Sequence, residues 1–377
     1  MSFSRRFHPL HEAAIAKARL TDFGAPDYEL GLRVLLDALD ERPALLPQAA
    51  AAGEAKIVEA LVGRLYAEAG WAAHPQYKDQ RIEKPLVVIG VPRTGTTALH
   101  QLLSLDPQFQ GLQRWLSPNP MPRPPRDKWE SNPLRQAVVE EVRRRHKAAP
   151  DIAAAHDLAA DDPDECLVVM GQSFVCNLFP SILDIPAYDS WFRAKDETPV
   201  FRRHRDVLKL IGLGDDRRWL LKNPSHLFGA EALLSVFPDA CLVQTHRHPA
   251  QALSSLFSLL GGIRELNDGG AINRERMEAR EISFWAEAAR RSMAAQDRHP
   301  DRFVNIRQDE IRRDPLGVVE RIYGRFGYTL SAETEARMRR WAEQNPPEGQ
   351  SSHRYALSRE APAIAECFGS YIDRYGL

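Results

Sequence analysis

Ten residues, Val88-Ile-Gly-Val-Pro-Arg-Thr-Gly-Thr-Thr97, carry a switch of hydrophobic period around which the rest of the chain can be ordered. Leading into them, Pro85-Leu-Val-Val-Ile-Gly90 is a short unbroken apolar run, the pattern of a strand buried on both faces. Following them, Thr96 to Leu105 sets Leu99, Leu102 and Leu103 at helical spacing. Gly90 and Gly95 let the backbone turn tightly and approach a ligand, while Thr96 and Thr97 add hydroxyl donors. Strand, glycine turn and helix start, in that order, aim successive backbone N–H groups and the positive end of the helix dipole at one point. That point is an anion site.

The spacing of Gly90 and Gly95 is that of the ATP-binding loop G-x-x-x-x-G-K-[ST], yet Thr96 stands where its lysine belongs, and the loop's cation is Arg93. A magnesium-nucleotide enzyme also needs a carboxylate near the metal, commonly at the end of a neighbouring strand. The apolar run Cys241–Thr245 leads instead into His246-Arg247-His248-Pro249, which is basic. The loop calls for an anion held without a metal ion.

Outward from the loop, further strands are expected at Trp219–Leu221, Cys241–Thr245 and Phe303–Ile306, each adjoining a helical pattern: Leu227–Phe237, Ala250–Leu260 and Leu316–Phe326. This alternation implies an α/β domain, a parallel sheet covered by helices on both faces. The first eighty residues read as helical: Leu32, Leu35, Leu36 and Leu39 share a face, Pro43 and Pro47 interrupt, and Ile57, Leu61 and Leu65 line the alanine-rich stretch Ala50 to Ala69. The expected division is a helical N-terminal extension over 1–80, covering a core or a subunit interface, and the α/β domain over 81–377. The proline-rich stretch Ser117 to Pro125 and a glycine-bearing loop around Gly261–Gly262 and Gly269–Gly270 are expected to border the site.

The 377 residues hold 50 Lys+Arg against 51 Asp+Glu, a net charge of −1, with 44% hydrophobic and 27% charged residues. These values suit a globular chain and argue against a general nucleic-acid binder. No apolar run reaches the ~18–20 residues that span a bilayer, and MSFSRRFHPLHEAA has no apolar core behind its arginines, so neither a membrane segment nor a secretory signal is expected. Cys166, Cys176, Cys241 and Cys367 form no C-x-x-C pair, which fits a reducing compartment, the cytoplasm, without structural zinc or a disulfide framework. A homo-oligomer is left open.

The loop Val-Pro-Arg-Thr-Gly-Thr-Thr after a strand resembles the 5′-phosphosulfate loop of sulfotransferases that use 3′-phosphoadenosine 5′-phosphosulfate (PAPS), in particular the bacterial branch with arginine in the loop. In that family an arginine ending a later strand and a serine eight residues on bind the 3′-phosphate; Arg247 and Ser255 stand at that offset, with His248 where the family usually has Asp. Trp219-Leu-Leu-Lys-Asn-Pro-Ser-His226 is similar to the family's strand ending in Lys-x-Pro-x-His. Arg313-Asp-Pro315 with Val318, Ile322, Tyr323, Phe326 and Gly327 looks like the helix beneath its nucleotide half, and His353-Arg-Tyr355 looks like the branch's closing segment. The likeness spans roughly residues 85 to 355. It implies a P-loop NTPase-like sheet, PAPS as co-substrate, PAP as product, and donor contacts from Arg93, Thr94, Gly95, Thr96, Thr97, Arg247, Ser255 and Arg354.

Sulfuryl transfer moves SO₃ in line between two oxygens, so the protein mainly positions reactants and stabilises charge on the leaving phosphate. Arg93 and Lys222 are the candidate cations for the bridging oxygen and sulfonate. A general base is also needed. His156, in His156-Asp-Leu-Ala-Ala-Asp-Asp-Pro-Asp-Glu-Cys166, resembles the branch's His-plus-Pro-x-Glu-Cys segment. His226 competes, and Glu165, expected in the first turn of the next helix, could orient a histidine or act as base itself. The acceptor is a hydroxyl, or else an amine, of a small or lipid-like molecule, its pocket expected near aromatics such as Trp115 and Phe174. Two other functions remain open at this stage: a catalytically inactive nucleotide-binding regulatory module, and an atypical P-loop kinase.

Overall fold

The computed structural model describes residues 2–42, 47–148, 159–268, 272–345 and 361–377. Contacts gather the chain into two compact units, the first built from Met1–Arg81, Leu112–Asp216 and Leu259–Arg274, the second from Ile82–Gly111, Arg217–Ser258 and Glu275–Leu377.

In the first unit the N-terminal helices are α1 (Phe7–Ala18), α2 (Glu29–Asp40) and α3 (Pro47–Ala73), the last two where the apolar spacing places them. Leu32, Leu35, Leu36 and Leu39 are buried, as are Ile57, Leu61 and Leu65. Arg64 is sunk among them at 1% exposure because its guanidinium is fully used: Nε donates to Phe23 O and Nη2 to Ala25 O, both at 2.6 Å, with Asp27 as counter-ion. The proline-rich stretch is pinned in the same unit by Arg123, whose backbone N–H donates to Ile211 O (2.9 Å) and whose side chain meets Gln113 and Asp215.

Trp115 and Phe174 do not line an acceptor pocket. Both are 0% exposed, Trp115 set edge-on to Trp129 and Phe174 stacked on Phe179 with ring centroids 5.4 Å apart. Large aromatic rings contribute most when wholly buried, and these two hold the first unit's core.

The second unit contains the sheet. Its strands are β1 (Leu86–Gly90), β2 (Phe109–Gly111), β3 (Arg218–Lys222), β4 (Cys241–His246) and β5 (Phe303–Arg307), all parallel in the order β2-β3-β1-β4-β5. β1 is buried along its whole length, which is why its sequence runs apolar rather than alternating. Helix α4 (Thr96–Leu103) packs Leu99, Leu102 and Leu103 with Leu86, Val88, Val243 and Ile306 in one core. Because β3 and β4 flank β1 on opposite sides, connections diverge from its carboxyl end. Such a switch point opens the crevice where open parallel sheets bind ligands.

One strand is absent from the sequence expectations, and one expectation changes. The edge strand β2 has three residues, Phe109-Gln-Gly111, too few to show a period. Gly261 and Gly262 are not in a loop: helix α5 (Pro249–Asp268) runs through them, while Gly269–Gly270 lie outside the described residues. Each glycine costs an exposed helix about 1 kcal/mol. Here packing overrides that cost, since Arg264 beyond them is buried and donates to Pro180 O and Ser181 O, and a Cβ on Gly261 would lie 2.7 Å from Arg274 Nη1. Among the described residues no helix is long and apolar enough to cross a membrane.

Candidate functional site

The chain leaves β1 through Gly90 at φ 151°, passes Arg93 at φ 69° and enters α4 through Gly95 at φ 96°. Positive φ is the territory of glycine, so Arg93 is held there by its surroundings. Gly90 is required on space as well: a Cβ there would sit 2.5 Å from Thr245 Oγ1 and 2.7 Å from Thr245 O. The Thr94 hydroxyl lies 2.6 Å from Thr245 Oγ1 and donates to Val91 O at 2.6 Å. Fully buried, that hydroxyl ties the loop to β4, which leaves the Thr94 backbone as the part that can face an anion. Thr245 was not singled out from the sequence; only the parallel pairing Gly90↔Thr245 brings it to the loop.

Lys222 ends β3 opposite Val88 and is 2% exposed. Its Nζ donates to Thr97 Oγ1 at 3.3 Å, so the ammonium is directed at the first turn of α4. One turn further along, His100 is buried; desolvation first, and then the Lys222 charge, push its imidazole down to about 3. A neutral imidazole is the form that can share this space with an ammonium. After Lys222, Asn223 caps the turn Pro224–Leu227 by accepting from Ser225 N, and His226 within that turn is 0% exposed.

On the other side of β1, Arg247 follows β4 directly, and its Nη1 donates to Arg93 O at 3.3 Å while Nε meets Gln251 Oε1 at 3.3 Å. Ser255 lies on α5 and accepts from Arg93 Nε at 3.1 Å. Arg93, Arg247 and Ser255 thus form one cluster, and Lys222 with Thr97 forms another. Thr96 and Gly95 stand at the N-terminus of α4.

Beside the loop lies a cleft of about 410 Å³ lined by Ala98, Ile311, Arg312, Leu316, Arg339 and Trp341 among others. It adjoins the turn, since Ile311 Cδ1 would be 3.2 Å from a Cβ on Gly95. Its walls come from four separate helices, and of them only the Arg313-Asp-Pro315 stretch was marked by a motif in the sequence.

Glu165 belongs to the first unit and precedes the helix Leu167–Gly171, rather than occupying that helix's first turn. His156 and Arg354 lie outside the described residues. Among the described residues no group of three or more His, Cys, Asp or Glu side chains could hold a metal ion.

A central parallel strand running into a glycine-bearing turn and a helix, within a five-stranded parallel sheet, defines an α/β protein of the P-loop-like class. More narrowly, the chain belongs to the sulfotransferase family, whose model matches residues 85–332. It is 22% identical over 318 residues to the omega-hydroxy-beta-dihydromenaquinone-9 sulfotransferase Stf3 of Mycobacterium bovis and of Mycobacterium tuberculosis, a match covering 78% of this chain and 75% of theirs. Among solved structures it is similar to sulfotransferase STF1 from Mycobacterium tuberculosis H37Rv, with 36% identity, 96% of this chain and 98% of that chain covered, and a TM-score of 0.86. Sulfotransferase STF9 from Mycobacterium avium gives 29% identity, 97% and 96% coverage and a TM-score of 0.88.

Proposed function

We propose that this sulfotransferase takes its sulfuryl group from PAPS, delivers it to a hydroxyl of a lipid-like acceptor and releases PAP. The observation that carries the reading is the placement of fixed cations on both sides of β1, Lys222 on β3 and Arg247 after β4, with Arg93 in the loop between them. In this reading Arg247 and Ser255 hold the 3′-phosphate, and the backbone from Arg93 to Thr97 holds the 5′-phosphosulfate. The cleft beside Gly95, at about 410 Å³, has room for a purine ring.

The acceptor oxygen forms a bond to sulfur as the bond from sulfur to the 5′-phosphate oxygen breaks. Lys222 and Arg93 stabilise the charge that gathers on the departing oxygen, and a base removes the hydroxyl proton. We assign the base to His156, with His226 and Glu165 as rivals. A lipid-like acceptor is supported by the relatives whose name gives an omega-hydroxylated menaquinone derivative. The free cysteines are compatible with a cytoplasmic enzyme.

Calorimetry with PAP in the presence of a chelator, set beside Mg–ATP, tests the donor. Micromolar PAP binding and no ATP binding are expected; tight magnesium-dependent ATP binding would return the chain to the kinase reading. Labelled PAPS with long-chain alcohols and quinol-type hydroxyls then tests transfer, and PAP binding without any turnover would favour an inactive module.

A further inference from the structure

His246 is the last residue of β4 and the covalent neighbour of Arg247, and its ring is buried at 1% exposure. Both nitrogens are engaged: Nε2 lies 2.9 Å from Asn305 Oδ1 on β5, and Nδ1 lies 2.8 Å from Tyr371 Oη. An amide oxygen only accepts, so Nε2 carries the proton. Nδ1 is then an acceptor, and the Tyr371 hydroxyl donates to it. The direction is enforced from both ends. Burial lowers the His246 imidazole to about 4 and raises the Tyr371 hydroxyl, so neither changes charge near neutrality.

Tyr371 sits on α7 (Ala361–Tyr375), while Gln296 and Asp297 belong to α6 (Arg274–Arg298). Several contacts lock α7 in place: Arg374 pairs with Asp297 at 2.7 Å, Tyr375 Oη donates to Gln296 Oε1 at 2.9 Å, and Arg307 Nη1 donates to Gly376 O at 2.7 Å. The Tyr375 ring also lies against His246, with centroids 3.9 Å apart. The residue before Arg247 is therefore fixed by a strand on one side and a helix on the other. A guanidinium reads a phosphate as a rigid fork, so the setting of its own backbone decides its aim.

We propose that Tyr371 and Asn305 are positioning residues acting through His246 on Arg247, so that α7, which lies beyond the family-matched residues 85–332, sets the affinity for the donor nucleotide. The proposal rests on the assignment of Arg247 to a donor phosphate. Loss of a hydroxyl hydrogen bond inside such a network weakens the supported contact by roughly five-fold.

The test is a double-mutant cycle read by PAP calorimetry on the full chain. Tyr371→Phe should raise the PAP Kd about five-fold in the native background, leave kcat at saturating PAPS and the acceptor KM unchanged, and add nothing in an Arg247→Ala background. Ile364→Val, which thins the same helix's buried face and removes none of the hydrogen bonds on His246, controls for general loosening: it should lower Tm and leave the PAP Kd as it was. The proposal is overturned if Tyr371→Phe leaves the Kd unchanged, costs the same without Arg247, or is matched by Ile364→Val. If Arg247→Ala itself binds PAP normally, the donor assignment falls and takes this inference with it, an outcome distinct from the others.

Discussion

Arg93 and Ser255 stand 162 residues apart in the sequence and meet through one hydrogen bond, from Nε to Oγ at 3.1 Å. The contact turns the loop's cation toward the β4 side of β1, where Arg247 donates to the Arg93 carbonyl. Ser255 is thus a partner of the arginine before it is a partner of any phosphate. Ser255→Ala removes both roles, and because the bond involves a charged group its loss should weaken PAP binding about ten-fold, as read by titration calorimetry. An unchanged Kd would detach Ser255 from the donor site.

Lys222 is the cation on the opposite side, buried and directed at Thr97. Removing a preorganised donor to developing charge costs on the order of 10²–10³ in turnover. Lys222→Ala should show that loss in single-turnover transfer from PAPS while the PAP Kd rises by much less. Equal losses in binding and turnover would instead make it a ground-state ligand.

Gly90→Ala should destabilise the fold more than a usual glycine replacement, by more than about 1 kcal/mol, since positive φ and the Thr245 backbone both oppose a Cβ. A clear fall in Tm is expected, with loss of PAP binding in whatever remains folded. A variant as stable as the parent would show that the loop relaxes freely.

His100 and His246 carry a pH dependence whose sign follows from burial. Desolvation holds their imidazoles down to about 3 and about 4, whereas in the unfolded chain they titrate near 6.5. Between about pH 6.5 and 4 for His246, and down to about 3 for His100, the unfolded chain binds protons that the folded chain refuses. Stability from this source is complete above about 6.5 and is lost as pH falls through that window, by a few kcal/mol in all as an order of magnitude. Tm should be level from about pH 7 to 8 and drop steeply below 6; a flat profile down to pH 4.5 would contradict it.

For the base, His156→Ala should lower transfer by roughly 10²–10⁴ while leaving PAP binding intact. His226 is 0% exposed in the turn after Lys222, so His226→Ala should first show itself in Tm. Full turnover in His156→Ala, with loss in a still-folded His226→Ala, would exchange their roles.

The β1 strand, its loop and α4 were legible because they are contiguous, and local chemistry alone dictates them: an apolar run, two glycines at fixed spacing, then leucines at helical period. The same holds for β4 and the Arg247–Ser255 offset, which lies within one strand-to-helix turn. Glycine rules misread Gly261–Gly262, where packing around Arg264 outweighs propensity, and aromatic content misread Trp115 and Phe174, since composition does not say which rings are buried.

What the linear chain determined, then, is the class of fold, and it singled out the charged groups here proposed to meet an anionic donor. Only the tertiary structure settled which of those groups touch. Parallel pairing of β1 with β3 and β4 puts Lys222 and Arg247 on opposite flanks of one loop, seats Thr245 against Gly90, and hangs His246 between Asn305 and Tyr371. The reason is range: loop chemistry depends on neighbours a few residues away, while these contacts join segments more than fifty residues apart, which no local pattern records.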